Sequence, residues 1–367
     1  MTAKPDCLRH VKPSVRGVAA YTLAARHAAV KINQNENPYD LPEAIKRRVV
    51  EQAMRRPWSR YPEFDPRELI AALAGFAGWR EDGVLAGNGS NELIEALLLV
   101  TVGPGTRVVI PEPTFTLYAL LTRILGGEAI RVALGPDLEY DTEALSRARR
   151  EAEAPLTIVC SPNNPTGGVY PAAAIDGLCR EADGFVVVDE AYHEFAGETV
   201  VPLLAKHSNL VVLRTFSKAM GLAGGRVGYL LASPELVREV NKARLPYNLN
   251  FFSELAARAA IEEWKTLGDT VRRLVDAREA LLERLREVPG IKAYSSRANF
   301  FLIELQEADP KAVFEALFRR GVLVRDVTSY PRLSRCLRVS VGSESENETF
   351  LGALHEALAE TAAGRPS

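Results

Sequence analysis

Between residues 84 and 231, short apolar runs alternate with amphipathic stretches of helical period. The apolar runs fall at 84–86, 107–110, 129–133, 156–160, 185–188, 210–213 and 227–231. Runs this short and this uniformly apolar, bounded by turn residues, read as strands buried on both faces. Helices are predicted between them at 93–102, from Phe115 to 125, at 141–153 and at 171–181. Such alternation predicts a largely parallel sheet covered by helices, with ligands beyond the carboxyl ends of its strands. Ahead of this region, Pro42 and Pro66 each open a helical pattern, to about 56 and 76, at the early helix position that suits proline.

The pattern changes after Pro246. A helical period runs from about 252 to 288 and stops at Pro289-Gly290, which predicts a long, kinked helix joining two lobes. Strands at 299–304, 322–324 and 336–341 and helices at 310–320 and 346–359 then make a small α+β unit. Residues 1–32 carry few core signals. The expected organisation is therefore an N-terminal arm at 1–32, a large domain at 33–250 and a small C-terminal domain at 251–367.

Polar clusters interrupt the pattern where the strands end. Gly87–Glu92 is a glycine turn with Ser90 and Asn91 before a helix, which leaves backbone N–H groups free for an anion. Asn163-Asn164-Pro165 follows the 156–160 strand, Asp189-Glu190-Ala191-Tyr192 the 185–188 strand, and Ser217-Lys218 the 210–213 strand. Lys218 stands among Phe216, Met220, Leu222 and small residues. Desolvation there favours the neutral amine, the form that condenses with carbonyls. Ser217 and Arg226 flank it with phosphate-binding donors.

Composition narrows the chemistry. The chain has 367 residues, 47% hydrophobic and 25% charged, with net charge −2, as expected of an ordinary soluble globular protein. No basic stripe argues for nucleic acid, and no apolar run is long enough to span a bilayer. The polar, proline-broken start is unlike a signal peptide. Four dispersed cysteines and five dispersed histidines suggest neither a disulfide framework nor a metal site, and a cytoplasmic location is the expectation. Phe185–Glu190, an apolar run ending in Asp-Glu, resembles a Walker B strand. A nucleotide hydrolase also needs a G-x-x-x-x-G-K-[ST] loop, and no segment supplies one.

Pyridoxal phosphate chemistry asks for a different set: a lysine, a carboxylate for the ring nitrogen, an aromatic face, donors to the phenolic oxygen, a phosphate cup and a cation for the substrate's anion. Candidates run in the order Ser90-Asn91, Phe115, Asn164, Asp189, Tyr192, Ser217-Lys218, Arg226, Arg338. Together with NQNENPY (33–39), RYPE (60–63), GNGSNELIE (87–95), SPNNPTG (161–167), VVVDEAYHEF (186–195), LRTFSKAMGLAGGRVGY (213–229), RLPYNLN (244–250) and CLRVSVG (336–342), they resemble a fold-type I pyridoxal-phosphate aminotransferase of the histidinol-phosphate aminotransferase family.

The resemblance implies an α/β fold: a large domain on a mainly parallel seven-stranded sheet, a small α+β C-terminal domain and an N-terminal arm. It implies Lys218 as the cofactor-bonding lysine and proton shuttle, Asp189 as partner of the ring nitrogen, and Tyr192 and Asn164 as donors to the phenolic oxygen. Phe115 stacks on the ring, where Tyr is usual. Ser90, Asn91, Ser217 and Arg226 form the phosphate cup, and Tyr61 reaches the cofactor phosphate of a neighbouring subunit in a homodimer. Arg338 receives the substrate's anion, Arg325 and Tyr21 add phosphate donors, and Asn164 also faces the substrate. The implied reaction is ping-pong transfer between histidinol phosphate and 2-oxoglutarate, in histidine biosynthesis. Aromatic amino-acid transamination and threonine-phosphate decarboxylation stand as alternatives on the same scaffold.

Overall fold

The apolar runs do form the central sheet, and its connections explain where the polar clusters meet. The computed structural model describes residues 7–20 and 25–363, so Tyr21 lies outside the described residues. A short helix α1 (Pro13–Arg16) and a two-residue strand β1 (Val30–Lys31) precede α2 (Glu43–Met54) and α3 (Arg67–Ala77). Alternation then begins with β2 (Val84–Gly87), α4 (Ser90–Thr101), β3 (Arg107–Glu112), α5 (Leu117–Ile124) and β4 (Glu128–Ala133). It continues through α6 (Thr142–Glu151), β5 (Leu156–Cys160), α7 (Ala172–Glu181), β6 (Phe185–Asp189), the single turn α8 (His193–Ala196), β7 (Leu210–Thr215) and β8 (Gly228–Leu231). Helices α9 (Pro234–Asn241), α10 (Phe251–Glu262) and α11 (Trp264–Arg286) lead to β9 (Ile291–Ala293) and β10 (Phe300–Leu305). Last come α12 (Pro310–Arg319), β11 (Val322–Leu323), β12 (Arg325–Asp326), β13 (Cys336–Ser340) and α13 (Glu344–Ala363).

The seven-stranded sheet has the order β2-β8-β7-β6-β5-β3-β4. Every pair among β7, β6, β5, β3 and β4 is parallel, whereas β8 is antiparallel to both β7 and β2. The reversal follows from the β7–β8 connection: no helix carries the chain back across the sheet, so it returns alongside the strand it left. As a result the carboxyl ends of β2, β3, β5, β6 and β7 and the amino end of β8 share one edge. Strands β5 and β7 are buried along their whole length, as their largely apolar character requires, and the one charged side chain in β7, Arg214, is paired with Glu190.

A second sheet, β12-β13-β10-β9, is antiparallel throughout, and β1 pairs in parallel with β11. Among the apolar clusters that support these sheets, two bear on the strand ends and their loops. One lies around Val186, Val188, Val212 and Tyr229 and includes Ala257 and Ala260 of α10. The other joins Leu281, Phe300, Phe301, Leu337 and Phe350 to Val30 and Ile32 from the start of the chain. Tyr192 and Ala219 belong to this second cluster, so loops from the large sheet are seated in the core of the smaller unit.

Some boundaries differ from expectation for local reasons. The single helix predicted at 252–288 is two, α10 and α11, separated at Glu263, where φ −97° and ψ 17° leave the helical region. Helix α4 begins at Ser90, three residues before the apolar run that signals it, because its first turn is polar and faces a cavity. Helices α6, α9, α10 and α12 start on side-chain caps from Asp141, Ser233, Asn250 and Asp309, each accepting from a first-turn N–H. Helix α4 starts on Gly89 with no such cap. Among the described residues no helix is long and apolar enough to cross a membrane.

Candidate active site

At the shared strand edge the chain encloses a cavity lined by Ser90, Asn91, Phe115, Asn164, Asp189, Tyr192, Ser217, Lys218, Arg226, Arg325 and Arg338. Eleven residues singled out from sequence thus converge, although they span 248 positions. Two do not line it. Tyr21 is outside the described residues. Tyr61 is 81% exposed, stacked on Tyr247 at 4.6 Å between ring centroids.

Lys218 leaves the turn after β7 with its Nζ donating to the Gln34 carbonyl oxygen at 2.9 Å and lying 5.8 Å from the centre of the Tyr192 ring. Burial, and next the positive charge of Arg338, pull its ammonium from an ordinary 10.5 down to about 7. Near neutrality a large share of the side chain is therefore an unprotonated amine, a competent base.

Asp189 ends β6 and is 3% exposed. Burial pushes its carboxyl up to about 6, opposed by two donors: the Tyr118 hydroxyl at 2.6 Å and the Ala191 N–H at 3.0 Å. A cation opposite that carboxylate would favour the ionised form further. Tyr192, just beyond, is buried edge-on against Phe300, and its hydroxyl accepts from Asn35 Nδ2 at 3.0 Å. Burial holds that phenol well above its usual range, so it remains a hydrogen-bond donor.

The other end of the cavity is a nest of donors. Arg226 donates to Ser217 Oγ at 3.2 Å, and its backbone occupies the left-handed region at φ 51°. A Cβ on Gly89 would stand 2.5 Å from the Arg226 guanidinium, and one on Gly228 would collide with the Ser90 N–H. Both glycines are therefore needed for the close approach of β8, the Arg226 side chain and the uncapped start of α4. The result is a positively polarised cup of the kind that accepts phosphate.

Arg338 approaches from β13. It donates to Asn164 Oδ1 at 2.6 Å and to the Asn33 carbonyl at 2.7 Å, with its guanidinium 5.2 Å from the Phe300 ring centre. Arg325 on β12 is its cross-strand partner, and both line the cavity. Side chains directly opposite in an antiparallel pair share a face, so two guanidiniums are presented together. Like charges so close are destabilising unless an anion offsets them.

Sequence reasoning missed Tyr118, Asn33, Gln34, Asn35 and Tyr330, all of which line the cavity. Tyr118 lies three residues after Phe115, one helical turn on, and that spacing was a usable signal. Asn35 is held by Ser340, with its side-chain oxygen accepting at 3.0 Å and its N–H donating at 2.9 Å, and adopts φ 55°, which Asn tolerates. It falls within the polar 33–39 motif, but which hydrogen bonds that segment makes depends on β13.

Residues 28–354 match the family described as aminotransferase class I and II. The chain is 38% identical to histidinol-phosphate aminotransferase of Chlorobium phaeovibrioides, over 95% of this chain and 97% of that protein. It is 37% identical to histidinol-phosphate aminotransferase of Chlorobaculum tepidum, over 93% and 98%. Among solved structures, histidinol-phosphate aminotransferase from Sinorhizobium meliloti in complex with pyridoxal-5'-phosphate superposes with a TM-score of 0.87, at 24% identity, over 96% of this chain and 98% of that one.

Proposed function

The chain belongs to the aminotransferase class I and II family, among the histidinol-phosphate aminotransferases, and we propose that it moves the amino group of histidinol phosphate to 2-oxoglutarate, yielding imidazole acetol phosphate and glutamate for histidine biosynthesis. It is a transaminase, and its cofactor is pyridoxal 5'-phosphate. The observation that carries the choice of substrate is the pair Arg325 and Arg338 on adjacent strands, facing the same cavity as Lys218. A phosphate carries more charge and more acceptor oxygens than a carboxylate, and two guanidiniums suit it. In the second half-reaction a carboxylate of 2-oxoglutarate takes the same place.

The residues present suit the cofactor. Arg226, Ser217 and the uncapped N–H groups of Ser90 and Asn91 would hold its phosphate, Asp189 would pair with its ring nitrogen, Phe115 would cover its ring, and Tyr192 with Asn164 would donate to its phenolic oxygen. When bound, pyridoxal phosphate supplies an aldehyde that takes up the substrate's amine and a ring that accepts the electron pair released from the adjacent carbon. Tyr118 keeps the Asp189 carboxylate oriented and charged by donating to it. Lys218, as a neutral amine, would be the base that takes the proton from the carbon bearing the substrate's nitrogen and, once protonated, the acid that gives it back. Arg338, itself positioned by Asn164 and the Asn33 carbonyl, aligns the substrate so that this proton faces Nζ.

The active unit is a homodimer in which Tyr61 of one subunit completes the phosphate cup of the other. Support comes from Tyr61, which is exposed and absent from its own subunit's cavity, and from the exposed apolar side chains beside it: Trp58, Phe64, Leu245 and Tyr247. Mixing Lys218→Ala with Tyr61→Phe subunits tests this, because hybrids regain one intact site and activity returns only if Tyr61 works across the interface. Four unpaired cysteines, three of them buried, suit a cytoplasmic location.

Half-reaction spectra of the holoenzyme with histidinol phosphate, phenylalanine and threonine phosphate decide the substrate. Histidinol phosphate is expected to convert the cofactor fastest. Faster conversion by phenylalanine, or release of CO2 from threonine phosphate, would overturn the assignment.

A further inference from the structure

Lys31 lies outside the cavity, on β1, beside a second cleft on the far side of the 33–36 turn that it shares with Glu36 and Ser217. Its ammonium donates to Gln34 Oε1 at 2.7 Å and pairs with the Glu36 carboxylate. The turn it grips is the one whose Gln34 carbonyl accepts the Lys218 amine. The rest of the turn is tied down from the other side: the Asn35 carbonyl accepts from Asn299 at 3.1 Å and the Asn33 carbonyl from Arg338. Among the described residues, the Gln34 side chain is held by Lys31 alone.

A carbonyl oxygen suits a base that must stay a base. It accepts one N–H of the neutral amine, which restricts rotation of the nitrogen and the directions open to its lone pair, and it cannot take up a proton in the amine's place. We propose that Lys31 and Glu36 clamp the Gln34 carbonyl as the docking point for the Lys218 amine whenever that amine is free of the cofactor, which makes Lys31 a positioning residue for the proton transfer. The inference rests on reading Lys218 as the cofactor-bonding lysine.

Charge offers a rival explanation, and it separates cleanly. Arg338, Glu36, Arg226 and Lys31 all act on Lys218 after burial, but Glu36 raises its proton affinity and Lys31 lowers it. A purely electrostatic influence therefore moves Lys218 in opposite directions when the two are neutralised one at a time. Loss of the clamp moves it the same way in both cases.

The test uses the full chain stripped of cofactor, with Lys31→Met, Glu36→Gln and Lys31→Arg. Pyridoxal phosphate is added, and its covalent attachment is followed by absorbance and by borohydride trapping, with the modified lysine identified by mass spectrometry. The holoenzymes are then compared for the kinetic isotope effect with substrate deuterated at the carbon that loses its proton. The expected result is attachment at Lys218 slowed about threefold to fivefold in both neutralised variants, the scale of population an exposed ion pair can hold. A larger isotope effect in both, and near wild-type behaviour in Lys31→Arg, complete the expectation. Opposite shifts in the two variants, or no shift in either, would overturn the clamp. If the wild-type adduct instead appears on another lysine, the functional reading fails, and the trapping step alone reveals it.

Discussion

Keeping Lys218 ready as a base costs the cofactor-free protein stability, and Lys218→Met exposes the cost. The side chain falls from an ordinary 10.5 to about 7, chiefly through burial. At about 1.4 kcal/mol per unit this amounts to roughly 5 kcal/mol. Water reaches part of the lysine, so the expected gain from replacing it is about 2–5 kcal/mol, including the lost bond to the Gln34 carbonyl. The sign follows from proton counts. Below about pH 7 the folded and unfolded chains both carry the proton and the penalty is complete. Between about 7 and 10.5 the unfolded chain binds more protons, so wild-type stability rises with pH and the penalty fades. Urea unfolding of the stripped wild-type and Lys218→Met proteins at pH 6.5 and 9.5 measures it. The variant is expected to lead at pH 6.5 and to lose most of its advantage, down to about 1 kcal/mol, at pH 9.5. An equal advantage at both values, or none at pH 6.5, refutes the reasoning.

Three further outcomes follow from the same geometry. Arg214→Met breaks a 2.8 Å pair with Glu190, whose partners are 4% and 2% exposed, and strands a carboxylate beside Asp189; unfolding by circular dichroism should show a loss of about 3–5 kcal/mol, largely restored by adding Glu190→Gln. Tyr118→Phe removes the hydroxyl that donates to Asp189 at 2.6 Å, and because a hydrogen bond to a charged group contributes about 1.5–3 kcal/mol, cofactor affinity by fluorescence titration should weaken about tenfold to a hundredfold; an unchanged Kd would reduce Tyr118 to packing. Arg338→Lys keeps the charge but loses the planar fork shared between Asn164 and Asn33, and KM for both histidinol phosphate and 2-oxoglutarate should rise about tenfold or more, with a rise for one alone showing that the two substrates use different anion sites.

Much of the fold was legible because it is local. Short apolar runs such as those at 156–160 and 210–213 read as strands covered on both sides, and the observed β5 (Leu156–Cys160) and β7 (Leu210–Thr215) lie within about two residues of them. The site was legible where a strand ends and a polar cluster begins, since a parallel sheet gathers those ends: Asn164, Asp189 and Lys218 each follow this rule. It faded where pairing is non-local. Strand β1 has only two residues and no periodicity to betray it, and the small β9 and β12 likewise carry no pattern of their own.

By itself, then, the sequence determined which segments are apolar enough to be sheet, which polar residues stand at their ends, and that Lys218 is set among side chains that disfavour its charge. These depend on residues near one another in the chain. Only the tertiary structure decided that β8 returns antiparallel and brings Arg226 to the start of α4, and that Tyr118 meets Asp189 across 71 positions. It also decided that Asn35 is held by Ser340 and Tyr192, 305 and 157 positions away. The reason is that hydrogen-bond partners and burial are properties of the packed neighbourhood, set by strand register and core contacts that no local pattern encodes.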